Sequence, residues 1–257
     1  MSIKVVTDKK GKVYKIKKFK MKSIDKASRI VFLGSSGSGK TWMIKELMYK
    51  HREIPEGICM AGTKAARNSY KKFIPDSFIY KHYEKDVVKN FIKNQESKIK
   101  HKMKDPTGFF IMDDLLYEKS KWVKSTEISY IFMNSRNDRV FYILSLQYPI
   151  GIGPDLRTNI DYTFIARETI KNTQKKIYEN YASVFEDFPT FKSVLEQLTE
   201  DYTFLVIDNN VKSNRIEDQI FWYKAKERND FKVGSNKYWD FHYKLYNNDY
   251  EDRFSDG

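Results

Sequence analysis

Cysteine is nearly absent. Cys59 stands alone, so no disulfide can form within the chain and a reducing compartment is expected. Histidine is also scarce. His51, His82, His101 and His242 share no metal-ligand spacing with one another or with Cys59, so no zinc site is expected. No apolar run approaches the ~18 residues that a membrane-spanning helix needs. The chain is charged from Lys4 onward and opens without the apolar segment of a signal peptide. Neither a membrane span nor a secretory leader is therefore expected. Acidic residues are the remaining deficit: 34 stand against 47 basic ones, a net charge of +13. That balance favours a polyanionic partner, nucleic acid first, over a merely solvated basic surface. There is no internal repeat and no low-complexity linker. What is present, 257 residues of which 40% are hydrophobic, can bury the core of one large α/β domain or two small ones.

Ile30-Val31-Phe32-Leu33 reads as a buried strand. Gly34-Ser35-Ser36-Gly37-Ser38-Gly39-Lys40-Thr41 follows at once and fits G-x-x-x-x-G-K-[ST], the phosphate-binding P-loop. Helix formers from Trp42 to His51 complete the strand–loop–helix order that the motif requires. The glycines let the backbone close around a phosphate chain, and its N–H groups then form an anion nest. The following helix adds its positive N-terminal end. Lys40 is placed to reach the outer phosphates and the Thr41 hydroxyl to ligate Mg²⁺, so ATP and Mg²⁺ are the expected ligands. The competing reading is a plain Ser/Gly-rich turn between a strand and a helix.

Gly108-Phe109-Phe110-Ile111-Met112-Asp113-Asp114 is a second informative stretch. Four apolar residues predict a short buried strand, with two carboxylates at the C-terminal end, where open α/β sheets bind ligands. Asp113 fits the Walker B acid that holds the Mg²⁺ shell, and Asp114 is next in line to polarise an attacking water. An Asx turn closing an ordinary strand is the alternative. Val140 to Leu146 reads as another central strand with Gln147 at its C-terminal end, where an amide can meet a γ-phosphate or its water. Otherwise Gln147 is a polar cap. Arg136 and Arg139 lie at the opposite end of that strand, roughly 23 Å away. They are too far to touch their own nucleotide but could reach a neighbouring subunit's as fingers in trans. A structural salt bridge is the alternative for them.

Elsewhere, Ile3 to Thr7 and Val13 to Phe19 predict a hairpin carrying many lysines, facing DNA or another subunit, or simply a solvated edge. Further strands are expected at Gly57 to Ala61, Tyr162 to Ala166, Tyr202 to Asp208 and Ile220 to Ala225. Helices are expected at Tyr83 to Lys98 and Thr126 to Asn134. Another runs through Ile170, Ile177, Tyr181 and Phe185 until Pro189 breaks it, and a last spans Phe191 to Leu198. Gly62-Thr63-Lys64 reads as loop. From Lys226 the chain is charged and aromatic, with Tyr238, Trp239, Phe241, Tyr243 and Tyr246 able to stack bases or to pack on the core.

Taken together, the P-loop, Phe110 to Asp114, Asn134-Ser135-Arg136 and Leu146-Gln147-Tyr148-Pro149 resemble the genome-packaging ATPases of nucleocytoplasmic large DNA viruses, within the FtsK/HerA-type translocases. Leu156 to Tyr162, Phe204 to Asp208 and Ile220 to Ala225 extend the resemblance over roughly residues 28–226. It implies a RecA-like, mostly parallel sheet flanked by helices, with the sensor strand between the P-loop and Walker B strands. It implies ATP hydrolysis at the subunit interfaces of a homo-oligomeric ring that drives double-stranded DNA into a capsid, with capsid or portal proteins as partners. The host cytoplasm at the assembly site, or the virion, is the implied location. By position, Asp114 matches the catalytic acid, Gln147 the sensor and Arg136 the trans-acting finger. Two departures stand out: wider relatives carry Glu at the position of Asp114, and the viral ones commonly have Gly at that of Ser135. The expected organisation is a basic N-terminal hairpin or arm over residues 1–27, the P-loop ATPase domain over 28–226, and a charged, aromatic tail packed on it over 227–257. A small-molecule or nucleoside kinase and a nucleotide-binding structural protein of a capsid portal are the alternatives.

Overall fold

The apolar runs become strands because each alternates its side chains between two helical layers. In the computed structural model, which describes residues 2–149, 151–213 and 215–246, every residue of the strand Arg29–Leu33 is buried. Ile30 and Phe32 enter one core, while Val31 and Leu33 enter the other. Such burial on both faces marks a central parallel strand.

The strands are β1 (Ile3–Thr7), β2 (Val13–Lys18), β3 (Arg29–Leu33), β4 (Glu56–Ala61), β5 (Ile79–Tyr80), β6 (Gly108–Asp113), β7 (Val140–Leu146), β8 (Tyr162–Ile165), β9 (Thr203–Asp208) and β10 (Ile220–Lys224). They form one sheet in the order β1-β2-β10-β9-β8-β3-β7-β6-β4-β5. From β8 to β5 every pairing is parallel. β9 runs against both of its neighbours, and β1 runs against β2. The sheet is thus mostly parallel, and β7, the strand expected to carry the sensor, lies between β3 and β6, as the resemblance implied. The basic hairpin joins the same sheet, since β2 pairs with β10 in parallel.

The helices are α1 (Lys40–Lys50), α2 (Lys64–Tyr70), α3 (Lys85–Lys100), α4 (Lys119–Trp122), α5 (Thr126–Asn134), α6 (Pro154–Arg157), α7 (Lys171–Tyr181), α8 (Phe188–Leu198), α9 (Ile216–Gln219) and α10 (Asn236–Leu245). α1, α2 and α10 pack on one face of the sheet through Met43, Leu47, Tyr70 and Tyr238. α3, α5, α7 and α8 cover the other through Val88, Phe91, Ile131, Ile177 and Leu195. Burying each such side chain contributes about 1.5–3 kcal/mol. No helix among the described residues is long and apolar enough to cross a membrane.

Three expectations need correction or extension. Pro189 does not break a helix. It sits in the first turn of α8, where its missing N–H costs nothing, and Asp187 caps that helix by accepting from the Thr190 N–H. Tyr202 is not in a strand; its φ of 54° belongs to a left-handed turn before β9. The loop read at Gly62-Thr63-Lys64 opens α2, with the Thr63 hydroxyl accepting from the Ala66 N–H as N-cap. Within the expected tail, Tyr238 of α10 is buried against Phe78 and Phe109, and its hydroxyl donates to the Gly57 carbonyl at 2.7 Å. Residues 247–257 of that tail lie outside the described residues.

Candidate active site

Register places the site. Leu33 lies opposite Leu146, and Asp113 opposite both Ser145 and Ala61. The next residues of those strands, Gly34, Gln147, Asp114 and Gly62, therefore emerge at one edge of the sheet. Parallel strands ending together give the crevice in which α/β proteins bind ligands. The Gly34 N–H donates to the Leu146 carbonyl at 3.2 Å, which fixes where the P-loop departs. Gly39 caps α1 with φ 89°, a conformation that favours glycine.

A cleft of about 290 Å³ opens here, lined among others by Lys40, Thr41, Thr63, Asp113, Asp114 and Gln147. Lys40 Nζ donates to the Gly34 and Ser35 carbonyls at 2.6 and 2.9 Å, so the cation lies folded against its own loop. Burial pushes the Lys40 ammonium below its ordinary value, against the pull of the Asp113 and Asp114 charges. An anion in the loop would relieve that cost. Ser38 Oγ is buried without a hydrogen-bond partner, a polar atom that a phosphate oxygen would satisfy.

The Thr41 hydroxyl donates to Asp113 Oδ2 at 2.9 Å. Asp113 is only 1% exposed, and the same oxygen accepts from the buried Tyr70 hydroxyl at 2.8 Å. Burial, then the Asp113 charge, pushes the Tyr70 phenol well above its ordinary value, so it stays a neutral donor. A hydroxyl and a carboxylate side by side are hard oxygen donors of the kind Mg²⁺ takes, so these residues fit that ion. Gln147 Nε2 donates to Asp114 Oδ1, joining the expected sensor to the expected acid. Asp114 has φ 57°, and Gly62 makes room for it: a Cβ on Gly62 would stand 2.1 Å from the Asp114 carbonyl oxygen. Burial, then the Asp113 charge, pushes the Asp114 carboxyl up, while Lys40 and the Gln147 amide oppose the shift.

Seven of the residues singled out in the sequence thus line one cleft: Ser36, Gly37, Lys40, Thr41, Asp113, Asp114 and Gln147. Gly34, Ser35, Ser38 and Gly39 complete the loop around it. Arg136 is elsewhere. It follows α5 at the other end of β7, where Nη2 donates to Asp161 Oδ1 and to Asn210 Oδ1. Sequence reasoning gave no site role to Tyr70, Gly62 or Asp161. The Thr63 cap was the one local signal for α2, and with it for Tyr70. Asp161 pairs with Arg29, 132 positions away, which no local pattern announces.

The strand order, the loop and the carboxylates at the strand ends define a P-loop NTPase fold. The chain belongs to the Poxvirus A32 protein family, whose profile matches residues 16–232. It is 39% identical over 234 residues to protein L437 of Acanthamoeba polyphaga mimivirus, covering 88% of this chain and 82% of that one. Among solved structures, B204, the DNA-packaging ATPase of Sulfolobus Turreted Icosahedral Virus, matches with a TM-score of 0.59 at 19% identity, over 79% of this chain and 100% of that one. The genome packaging NTPase B204 of Sulfolobus turreted icosahedral virus 2, in complex with ATP-gammaS, matches at 0.57 and 18%, over 78% of this chain and 98% of that one. Those two likenesses concern the fold. Family membership agrees with the resemblance drawn from the motifs.

Proposed function

We propose that the chain is an ATP-driven translocase that packages double-stranded viral DNA into a capsid, hydrolysing ATP at the subunit interfaces of a homo-oligomeric ring. The observation that carries the ATPase reading is the convergence of Lys40, Thr41, Asp113, Asp114 and Gln147 on one cleft. The packaging reading is supported by the A32 family and by the shared fold of B204. Lys40 leaves its two carbonyls for the outer phosphate oxygens and neutralises charge that grows there. Thr41 and Asp113 would hold Mg²⁺, which when bound withdraws further charge from the same phosphates. Asp114 accepts a hydrogen bond from the attacking water and aims it in line. Gln147 holds Asp114 through its amide, so contact of that amide with the γ-phosphate would be felt at the acid. Arg136 of one subunit completes the loop of the next. The basic surface, net +13, suits a polyanion, and the expected setting is the host cytoplasm or the virion.

The test is ATP turnover with and without double-stranded DNA across a salt series. Stimulation that weakens with salt is expected, because phosphate contacts release counterions. Lys40→Ala and Asp113→Ala are expected to abolish turnover. Turnover indifferent to DNA contradicts the translocase reading and leaves a kinase or a nucleotide-binding scaffold.

A further inference from the structure

A second cleft, about 410 Å³, lies across the first turn of α1 from the carboxylates. Gly39, Trp42, Tyr202, Phe204, Lys224 and Ala225 line it, and its walls are almost wholly apolar. Trp42 also lines the carboxylate cleft, so the two clefts meet at the start of α1. A triphosphate seated on the loop would direct the rest of its nucleotide into one of the spaces bordering that turn. We propose that this aromatic cleft holds the nucleobase, stacked on Tyr202 and Trp42. The proposal rests on the reading of residues 34–41 as a triphosphate site.

Tyr202 has the features of a residue kept for a ligand. Its side chain is 65% exposed, although an aromatic ring gains by burial. Its φ of 54° follows a φ of 52° at Asp201, two consecutive non-glycine residues in the left-handed region. Bulky side chains rarely adopt that conformation, and it concentrates at functional sites. The turn places the ring against the last glycine of the P-loop: a Cβ on Gly39 would lie 3.2 Å from Tyr202 Cδ1. Trp42, which lines the same cleft, is 46% exposed. The rim cation Lys224 is already paired with Asp201. The site therefore offers ring faces rather than base-edge hydrogen bonds. Stacking of this kind accepts any base, since every base has a π-face.

Calorimetric titration of the full chain with ATP and with inorganic tripolyphosphate tests this. Tyr202→Ala is expected to weaken ATP binding about 5- to 150-fold, the range for one base–aromatic stack, and to leave tripolyphosphate binding unchanged. Tyr202→Phe keeps ATP binding within about twofold, because the ring face remains. Wild-type chain is expected to bind GTP within about tenfold of ATP for the same reason. Equal weakening of both ligands by Tyr202→Ala, or of neither, overturns the base site while the triphosphate reading stands. A GTP affinity lower by about a hundredfold or more overturns the reading of an unread base edge. Wild-type chain that binds no tripolyphosphate overturns the triphosphate reading itself, and the base site with it.

Discussion

Arg29 and Arg136 share one carboxylate, and their different burial predicts very different costs of removal. Asp161 Oδ2 accepts from the Arg29 backbone N–H at 2.8 Å and from its Nε at 2.9 Å, while Oδ1 accepts from its Nη2 at 3.2 Å. The two side chains are 6% and 4% exposed. Replacing Asp161 by Ala leaves the Arg29 guanidinium buried with the Phe132 carbonyl as its remaining hydrogen-bond partner. Breaking a buried pair on one side costs about 3–5 kcal/mol. Arg136 meets the same Asp161, but its side chain is 63% exposed and its loss leaves Asp161 paired with Arg29, so the contribution falls near the ~0–1 kcal/mol of a solvent-screened pair. With a urea m-value of about 3 kcal/mol/M, Asp161→Ala should lower the unfolding midpoint by about 1–1.7 M. Arg136→Ala should lower it by less than about 0.3 M on the same slope. The trans-acting role proposed for Arg136 would therefore take it from Asp161 without unravelling the base of the sheet. Its loss should cut turnover about a thousandfold or more, the usual effect of an arginine finger, while nucleotide binding persists. A midpoint shift for Arg136→Ala equal to that of Asp161→Ala would refute the reasoning, as would normal turnover.

Other consequences follow from the same geometry. Tyr70→Phe removes one of two donors on Asp113 Oδ2 and should raise the Mg²⁺ needed for half-maximal turnover about tenfold; an unchanged Mg²⁺ titration contradicts an orienting role. Because burial and then Asp113 push the Asp114 carboxyl up, that carboxyl should titrate above its ordinary value of 3.8 in the chain free of Mg²⁺ and nucleotide, as read by carboxyl NMR. The Gln147 amide favours the ionised form, so Gln147→Leu should move that titration to still higher pH; movement to lower pH would contradict the pairing of Gln147 with Asp114. Gly62→Ala forces a Cβ onto the Asp114 carbonyl and should cost about 1–3 kcal/mol of stability together with activity, read by urea unfolding and turnover.

The legible parts of the molecule were those written locally. A glycine-rich loop between an apolar strand and a helix carries its own geometry, as does an apolar run closed by Asp113-Asp114. From the residues alone, Gln147 stood out because it follows a run of seven buried strand residues. That its amide touches Asp114 depends on the register of β6 against β7, which no stretch of either strand encodes alone. Tyr70 was illegible for a different reason: a buried tyrosine on a helix looks like core until its hydroxyl is seen to meet a carboxylate. Tyr202 misled, because a tyrosine before Thr-Phe-Leu-Val fits a strand pattern, and only the left-handed turn shows that it stands outside. Pro189 misled because proline stops a helix and starts one with the same ring.

The claim that one subunit completes its neighbour's site is tested most directly by mixing two inactive variants. Lys40→Ala keeps Arg136 but loses the P-loop lysine; Arg136→Ala keeps the P-loop but loses the finger. Each alone should be inactive with ATP, Mg²⁺ and double-stranded DNA. Mixed before assembly, they should regain turnover, because some interfaces then pair an intact loop with an intact arginine. A mixture as inactive as its components, or an Arg136→Ala chain active by itself, would contradict catalysis shared between subunits.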